Sequence, residues 1–392
     1  MYTEIKTLGG RRTPHVRVPG ARVSVAFSGM IAFFASVTAL YAQPTLRDAF
    51  KDNFLVGVAI NDGHIAEKDS SRTALITAQF NTITPENVMK WGPIHPGEGK
   101  YNFDLADRYV DFGEKHGMFV IGHTLVWHQQ TPQWVFRNAD GSPADRDTLL
   151  ARMREHIHTV VGRYRGRIKG WDVVNEALAE DGSLRGSQWR EIIGDDYIIK
   201  AFQFAHEADP DAELYYNDYS IENPAKRAGA ITLLKKLKAA GVHITGVGIQ
   251  EHASLTWPSA GALDETIAVF AKLGLKVMIT ELDVDVLPSR KKNIGSAEIT
   301  ENEAADPALN PYTEGLPGNM QQRLARRYAE LFGIYLKHRG TVTRVTLWGV
   351  TDDNSWLNDW PIKGRTSYPL LFDRAGNPKP AFDAVIKLTQ SK

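Results

Sequence analysis

Short apolar runs alternate with longer segments of helical periodicity from about residue 47 onward. Most of the short runs are apolar throughout, which is typical of strands that are buried on both faces of a parallel sheet. Eight strands are predicted, at 54–60, 80–84, 118–126, 168–176, 212–218, 244–250, 276–282 and 343–350. Helices are predicted at 103–116, 148–164, 197–208, 224–240, 262–273 and 319–338, and the shorter stretch 71–79 can cover the first crossover.

This regular alternation predicts a single (β/α)8 TIM barrel. An open, doubly wound sheet is the alternative, but no G-x-G-x-x-G motif follows any predicted strand, which argues against dinucleotide binding. The polar segment 287–317 is predicted to be a long loop after the seventh strand. Because no internal repeat or flexible linker interrupts residues 47–392, we predict one domain over 43–392.

The N-terminal 42 residues differ in composition from the rest of the chain. Several basic residues lead into an uncharged stretch at 23–42, and Ala42 is the predicted last residue before a cleavage site. This pattern predicts a signal peptide over 1–42 and a secreted or periplasmic mature protein. An uncleaved membrane anchor is the alternative, because about 20 apolar residues just span a bilayer. The serines and the glycine within the run favour cleavage.

Composition excludes several classes of site. The chain has 46 basic and 46 acidic residues, so its net charge of zero gives no general attraction to nucleic acids or anionic membranes. It has no cysteine, which excludes disulfides, thiolate metal ligands and a cysteine nucleophile. A chain of this length can bury a core without metal or disulfide support. We predict neither a cofactor nor a metal site.

Polar and aromatic residues gather where the predicted strands end, which is where barrel enzymes place their active sites. The fourth and seventh strands each end in a carboxylate, Glu176 of "WDVVNE" and Glu281 of "VMITELD". The other strand ends and the loop after the last strand supply Glu86, Asn87, Lys90, His123, Trp127, Asn175, Tyr219, Gln250, His252, Asp283, Trp348 and Trp356. One such residue alone is more often structural, but their convergence on one mouth favours a site.

The two carboxylates indicate acid–base chemistry, since no H-E-x-x-H metal motif accompanies them. Glycoside hydrolysis uses such a pair, one carboxyl as the proton donor and the other as nucleophile or base. The fourth and seventh strands lie on opposite sides of an eight-stranded barrel, so both side chains can reach inward over its mouth. A separation of about 5–5.5 Å is typical of retaining enzymes and about 6.5–9.5 Å of inverting ones.

The motifs closely resemble those of family 10 glycoside hydrolases, the endo-β-1,4-xylanases. They occur in order over about 50–386 as "TPENVMKW", "GHTLVWH", "WDVVNEAL", "YYNDY", "GIQEHA", "ITELDVDV" and "LWGVTDDNSWL". The resemblance implies a (β/α)8 barrel and a retaining double displacement on xylan. It also implies that Glu176 is the acid/base and Glu281 the nucleophile.

The chemistry of the two roles is consistent with their surroundings in the sequence. Glu281 has to be ionised, and His252 is a suitable hydrogen-bond donor that Asp283 can orient. Glu176 has to keep its proton near neutral pH, and the nearby charge of Glu281 supplies part of the increase in its pKa that this needs.

The remaining residues suit sugar binding. The resemblance implies that Glu86, Asn87 and Lys90 hold the sugar at the second subsite on the non-reducing side. His123, Trp127, Asn175 and Gln250 are expected around the sugar at the cleavage point, with Asn175 donating to its 2-hydroxyl group. Trp348 and Trp356 are expected to wall the same region, and Tyr219 to stack on the leaving-group side.

Several expectations remain to be tested. Glu251 replaces the small or neutral residue expected between Gln250 and His252, and it should point away from the cleft because neighbouring strand residues alternate faces. Xylan and xylo-oligosaccharides are the expected partners of a monomer without nucleic-acid binding or stable membrane association after signal removal. The alternatives are a barrel glycosidase acting on glucan or mannan, and a non-catalytic carbohydrate-binding protein.

Overall fold

The computed structural model describes residues 44–289 and 306–390. The predicted signal peptide at 1–42 and residues 290–305 of the predicted polar loop lie outside the described residues.

The elements of the described residues follow one another in a repeated strand–helix order. The strands are β1 (Leu55–Ile60), β2 (Thr82–Pro85), β3 (Phe119–Val126), β4 (Gly170–Asn175), β5 (Glu213–Asp218), β6 (Gly246–Ile249), β7 (His252–Ser254), β8 (Lys276–Asp285) and β9 (Val342–Leu347). The α-helices are α1 (Leu46–Ala49), α2 (Asp62–Ile65), α3 (Ser70–Gln79), α4 (Trp91–Ile94), α5 (Asp104–Lys115), α6 (Arg146–Arg163), α7 (Gln188–Ile193), α8 (Tyr197–Ala208), α9 (Pro224–Ala239), α10 (Ala260–Lys272), α11 (Gly318–Lys337) and α12 (Pro380–Gln390). Short 3₁₀ helices occur at Gln133–Val135, Pro307–Leu309, Asp352–Asn354 and Trp356–Asn358.

The parallel strands close into a ring, which confirms the predicted (β/α)8 barrel and excludes the open sheet. Strands β1 to β6 pair in sequence order, β6 continues to β8, β8 to β9, and β9 returns to β1. The short strand β7 lies outside this ring and pairs with the last residues of β8, so that His252 lies opposite Asp283. The ring therefore brings the carboxyl ends of all eight strands to one face.

The predicted strands all occur, with ends shifted by a few residues. The largest changes are in β8, which continues three residues beyond the predicted end at 282 and reaches Asp285, and in β9, which ends at Leu347, three residues before the predicted end at 350. The predicted helices also occur, as α3, α5, α6, α8, α9, α10 and α11. The pattern of apolar residues missed the one-turn helices α1, α2 and α4, since a single turn carries too few residues to show a period. It also missed α7 and the C-terminal helix α12.

Side chains at the helix starts explain where several helices begin. Asp145 accepts a hydrogen bond from the backbone N–H of Thr148 at 2.8 Å, and α6 therefore starts two residues before its predicted start. Ser259 caps α10 in the same way, through the N–H of Ala262 at 3.2 Å. Pro224 is the first residue of α9. A backbone N–H at this position has no partner within the helix, so the lack of an N–H in proline breaks no helical hydrogen bond.

A buried ion pair ties the segment after β9 to the end of the chain. The Lys379 ammonium donates to Asp352 Oδ2 at 2.9 Å and to the Tyr368 carbonyl at 2.8 Å. The other carboxylate oxygen of Asp352 accepts from the backbone N–H of Leu370 at 2.9 Å. These contacts fix both ends of the loop that carries Trp356 at the barrel mouth.

Gly229 of α9 is expected to be essential for packing. A Cβ built on Gly229 would lie 2.0 Å from the backbone oxygen of Gly182, in the loop that follows β4. Gly229→Ala should therefore lower the free energy of unfolding by about 1–3 kcal/mol, because neither backbone can move away freely.

Gly333 of α11 provides the matched control, since a Cβ there would meet nothing within 4 Å. Gly333→Ala should raise the free energy of unfolding by about 0.5–1 kcal/mol through reduced backbone freedom in the unfolded chain. Urea unfolding measures both variants, and equal stability of Gly229→Ala and wild type would contradict the packing argument.

Candidate active site

A cleft of about 210 Å³ lies over the carboxyl ends of the barrel strands. Its lining residues are Glu86, Asn87, Lys90, His123, Trp127, Gln130, Asn175, Glu176, Gln250, His252, Glu281, Trp348 and Trp356. The structure thus brings together every predicted site residue except Asp283 and Tyr219, and it adds Gln130. Side chains from strands on opposite sides of the barrel meet in one cavity.

Glu176 lies at the end of β4 and is 4% exposed. Its carboxyl oxygens accept hydrogen bonds from the Trp127 indole N–H at 2.7 Å and from the Gln250 amide at 3.0 Å. Its backbone has a φ of +56°, a left-handed conformation that is uncommon for residues other than glycine. The backbone N–H donates to the carbonyl of Asn217 at 2.9 Å.

Burial raises the pKa of Glu176 to about 7, because removal from water penalises the charged form. The negative charges of Asp218 and Glu281 add to this increase, while the hydrogen bonds from Gln250 and Trp127 oppose it. The neighbouring Glu281 charge is therefore a smaller contributor than burial. Glu176 keeps its proton up to neutral pH.

Glu281 lies within β8 and is 5% exposed, yet its pKa is lower than its ordinary value. Burial acts to raise this pKa, but the hydrogen bond from His252, the electrostatic influence of His123 and His252, and the hydrogen bond from Asn217 together outweigh it. His252 Nε2 lies 3.2 Å from Glu281 Oε2, and the Asn217 amide donates to Glu281 Oε1 at 2.9 Å. Glu281 is therefore ionised where Glu176 is protonated.

His252 carries a positive charge because it lies between two carboxylates. Its Nδ1 lies 3.1 Å from Asp283 Oδ2, while its Nε2 contacts Glu281. Burial disfavours the charged imidazole, but Asp283 and Glu281 outweigh burial and raise the pKa of His252 to about 10. Both ring nitrogens then act as donors, one to Asp283 and the other to Glu281.

Asn217 of β5 joins the two halves of the site, and the sequence had not singled it out as a site residue. Its amide donates to Asn175 Oδ1 and to Glu281 Oε1, both at 2.9 Å. The Gln250 amide reaches the same Asn175 oxygen at 3.3 Å, and it also donates to Glu176. Because Asn175 Oδ1 accepts both bonds, its own NH₂ group is turned toward the cleft.

Lys90 lies on the cleft wall next to an indole face. Its ammonium donates to Asn87 Oδ1 at 2.9 Å and lies 4.9 Å from the Trp127 ring centroid. Burial lowers the pKa of Lys90, while the charges of Glu281, Glu86 and Glu176 oppose that change. Burial raises the pKa of Glu86, and Lys90 opposes it. These directional polar groups suit the hydroxyl groups of a sugar.

Two tryptophans close the opposite wall. Trp348 meets His123 edge to face at 5.5 Å between ring centroids. The Trp356 indole donates to Asp283 Oδ2 at 2.7 Å, and its ring stacks on Trp360 at 4.7 Å. Trp356 is thereby tied to the same carboxylate that orients His252.

Comparison with known proteins assigns the chain to a family. The model of Glycosyl hydrolase family 10 matches residues 45–388. This chain belongs to glycosyl hydrolase family 10. It is therefore a member of a family of enzymes, and its cleft with a protonated and an ionised carboxyl fits that class.

The match to similar family 10 proteins extends over nearly the whole length of those proteins. The chain is 47% identical over 346 residues to endo-1,4-beta-xylanase A of Xylanibacter ruminicola, covering 88% of this chain and 94% of that protein. It is 41% identical to endo-1,4-beta-xylanase of Geobacillus stearothermophilus, covering 88% and 98%. A solved GH10 endoxylanase from a sugarcane soil metagenome is 48% identical with a TM-score of 0.86, covering 88% and 99%.

Tyr219 is not placed as the sequence suggested. It is 2% exposed and does not line the cleft, and the Lys226 ammonium lies 3.4 Å from its ring centroid. A sugar cannot stack on the ring face that Lys226 covers. The sequence motif shows which residue stands there, but not which way its ring turns.

Glu251 points away from the cleft into the protein interior. It is fully buried, and burial together with the neighbouring Glu222 carboxyl raises its pKa well above the ordinary value. A neutral Glu251 leaves the charge balance around Glu281 undisturbed.

Within residues 44–289 and 306–390, no cluster of three or more His, Cys, Asp or Glu side chains is arranged to hold a metal ion. The same residues include no helix that is both long and apolar enough to cross a membrane.

The raised pKa of Glu176 and the lowered pKa of Glu281 predict a bell-shaped dependence of kcat/KM on pH. Activity should fall about tenfold per unit as the pH rises above about 7, since Glu176 then loses its proton. It should also fall on the acidic side, at a pH below the ordinary range of a glutamate, where Glu281 becomes protonated. Initial rates on a soluble xylo-oligosaccharide between pH 3 and 9 measure both limbs.

The Gln250→Leu substitution should move the alkaline limb of this pH profile without moving the acidic limb. Because the Gln250 hydrogen bond lowers the pKa of Glu176, its loss should move the alkaline limb to higher pH. The acidic limb should stay in place, since the Gln250 side chain makes no bond to Glu281 among the described contacts. The bond from the Glu281 backbone N–H to the carbonyl of residue 250 is kept in the variant. An alkaline limb that moves to lower pH would contradict the assignment of Glu176 as the acid.

Proposed function

We propose that this chain is a retaining endo-1,4-β-xylanase, with Glu176 as acid/base and Glu281 as nucleophile. The observation that carries the proposal is the pair of buried carboxyls on one cleft, one with a raised and one with a lowered pKa. A proton donor and an anionic nucleophile are the two groups that double displacement at a glycosidic bond needs.

In the first step the Glu281 carboxylate attacks the anomeric carbon, and the bond from that carbon to the bridging oxygen breaks. The proton of Glu176 passes to that oxygen, which leaves as a hydroxyl group of the departing sugar. The Asn175 NH₂ group faces the cleft and suits the 2-hydroxyl of the sugar, a contact that strengthens in the transition state.

In the second step Glu176 acts as a base. The Glu281 charge has disappeared in the covalent glycosyl ester, so one of the influences that raise the pKa of Glu176 is gone. The Glu176 carboxylate takes a proton from water, and the resulting hydroxide equivalent attacks the anomeric carbon. The ester bond breaks, Glu281 is released as a carboxylate, and both groups return to their starting states.

The substrate class is supported by the relatives and by the cleft. The relatives above are named endo-1,4-beta-xylanases. One solved mutant structure, 38% identical with a TM-score of 0.79, is a complex with xylotriose. Trp348 and Trp356 close the wall beside the catalytic carboxyls. Xylose lacks the hydroxymethyl group of glucose, so this wall can admit xylan and exclude glucans by steric conflict.

The remaining parts of the proposal concern where the enzyme works. We propose that residues 1–42 are a signal peptide and that the mature protein acts outside the cytoplasm, as a monomer on xylan and xylo-oligosaccharides. The basic leader and uncharged run of the sequence support export.

Loss of the nucleophile should abolish turnover and leave binding intact. Glu281→Ala is expected to lower kcat on xylan by roughly 10⁴-fold or more, because no group remains to form the glycosyl ester. Xylotriose should still bind, as measured by calorimetry. Glu155→Ala, at an exposed glutamate of α6, is the control and should keep full activity. An active Glu281→Ala variant would overturn the assignment.

The stereochemistry and the substrate range test the proposal independently. Proton NMR should show the β-anomer as the first product from xylan, since two inversions restore the starting configuration. Initial appearance of the α-anomer would exclude the double displacement. Reducing sugar should be released from xylan and not from carboxymethylcellulose or mannan, and comparable rates on either glucan or mannan would favour a related glycosidase.

A further inference from the structure

The loop that follows Glu176 folds back on itself, so that Arg185 lies next to Ala177 at the start of the loop. The N–H of Ala179 donates to the carbonyl of Ser183 at 2.9 Å, and the N–H of Arg185 donates to the carbonyl of Ala177 at 2.8 Å. The backbones of Leu178 and Leu184 form an antiparallel bridge between these two bonds. The loop therefore behaves as a small hairpin whose two ends are joined beside Glu176.

The Arg185 guanidinium binds two backbone carbonyls, those of Glu176 and Leu178. Its Nε donates to the Glu176 carbonyl at 3.1 Å, and its Nη2 donates to the Leu178 carbonyl at 3.2 Å. Arg185 does not line the cleft that contains the two carboxyls, so it acts from behind.

The backbone of Glu176 needs such support. Its φ of +56° is sparsely populated for residues with a Cβ, and such conformations persist only where neighbouring contacts hold them. The N–H of Glu176 is held by Asn217, and its carbonyl is held by Arg185. Together these two bonds fix the direction in which the side chain leaves the backbone.

Tyr219 orients Arg185. The tyrosine hydroxyl accepts from Arg185 Nη2 at 2.7 Å, and the buried ammonium of Lys226 lies 3.4 Å from the ring centroid. Lys226 is itself held 3.1 Å from Asp218 Oδ1. The ring is thus fixed by a cation on its face and by a donor at its hydroxyl.

We propose that Arg185, oriented by Tyr219, is a positioning residue for Glu176 in the hydrolysis of xylan. The inference rests on the proposed function, because it assigns a task to the backbone of the proposed acid/base. Arg185 lies outside the lining of the cleft, and it binds Glu176 through the backbone carbonyl of that residue. It keeps the Glu176 carboxyl where it can protonate the bridging oxygen and later deprotonate water.

Leaving-group dependence distinguishes positioning from a merely structural role. Departure of a sugar needs a proton from Glu176, whereas departure of 2,4-dinitrophenolate needs none. A misplaced acid therefore slows glycosylation by xylotriose and leaves glycosylation by 2,4-dinitrophenyl β-xylobioside nearly unchanged. Azide attacks the glycosyl-enzyme without a general base, so it should restore turnover of the activated substrate when Glu176 is misplaced.

The experiment compares Arg185→Met, Arg185→Lys and Tyr219→Phe with wild type. Arg185→Met should lower kcat on xylotriose by about 10²-fold with KM within about twofold, since a displacement of about 1 Å has an effect of this size. Arg185→Lys should recover little of this loss, because an ammonium cannot span both carbonyls. Tyr219→Phe, which loses a single hydrogen bond, should lie between Arg185→Met and wild type.

Arg190→Met is the matched control from the same loop region. Arg190 donates to the Leu184 carbonyl at 2.7 Å and pairs with Asp195 at 2.8 Å, but it makes no bond to Glu176 among the described contacts. Its activity on both substrates should stay at the wild-type level. Circular dichroism and thermal unfolding establish that each variant is folded at the assay temperature.

Two results would overturn the inference. The first is a folded Arg185→Met with xylotriose activity within twofold of wild type. The second is an equal loss on xylotriose and the dinitrophenyl substrate, without azide rescue. Glu176→Ala serves as the reference for the proposed function. If Glu176→Ala itself keeps activity on xylotriose, the acid/base assignment fails, whereas a normal Glu176→Ala loss beside an unaffected Arg185→Met refutes the positioning role alone.

Discussion

Burial acts on both carboxyls of the cleft alike, and the hydrogen-bond donors and charges that each one meets separate their pKa values. Glu281 faces a histidine that is held positively charged by Asp283, and it also receives the Asn217 amide. Glu176 receives two neutral N–H groups, which are too weak to offset its burial. One cleft therefore holds a protonated and an ionised carboxyl, because their hydrogen-bond partners differ.

The donors act together because they are shared between strands. Asn217 spans from β4 to β8 through bonds to Asn175 and Glu281, and Gln250 connects the end of β6 to both Asn175 and Glu176. A shift of one strand relative to its neighbour would break several of these bonds at once. The parallel register of the barrel is thus the means by which two carboxyls far apart in sequence keep a fixed relation.

The sequence predicted the barrel and most of the cleft, because both leave local traces. Strands covered on both faces are apolar throughout, and polar residues at their ends stand out against that background. Asn217 also stands at such a strand end, in "YYNDY", but its bonds to Asn175 and Glu281 depend on neighbours on other strands, which the sequence of one strand does not show. Tyr219 was assigned a role, but the position of Lys226 over its ring is set by packing. Single-turn helices such as α4 cannot be predicted from the pattern of apolar residues, because four residues are too few to show a helical period.

The Asp352–Lys379 ion pair connects a residue near position 380 to the wall of the cleft. It fastens the segment bearing Trp356, whose indole reaches the aspartate behind the charged histidine. Exchange of the last fourteen residues, 379–392, with those of a homologue would therefore have to preserve a cation at position 379. Without that cation, an exchange of residues far from the cleft would loosen the segment that holds Trp356 in the cleft wall.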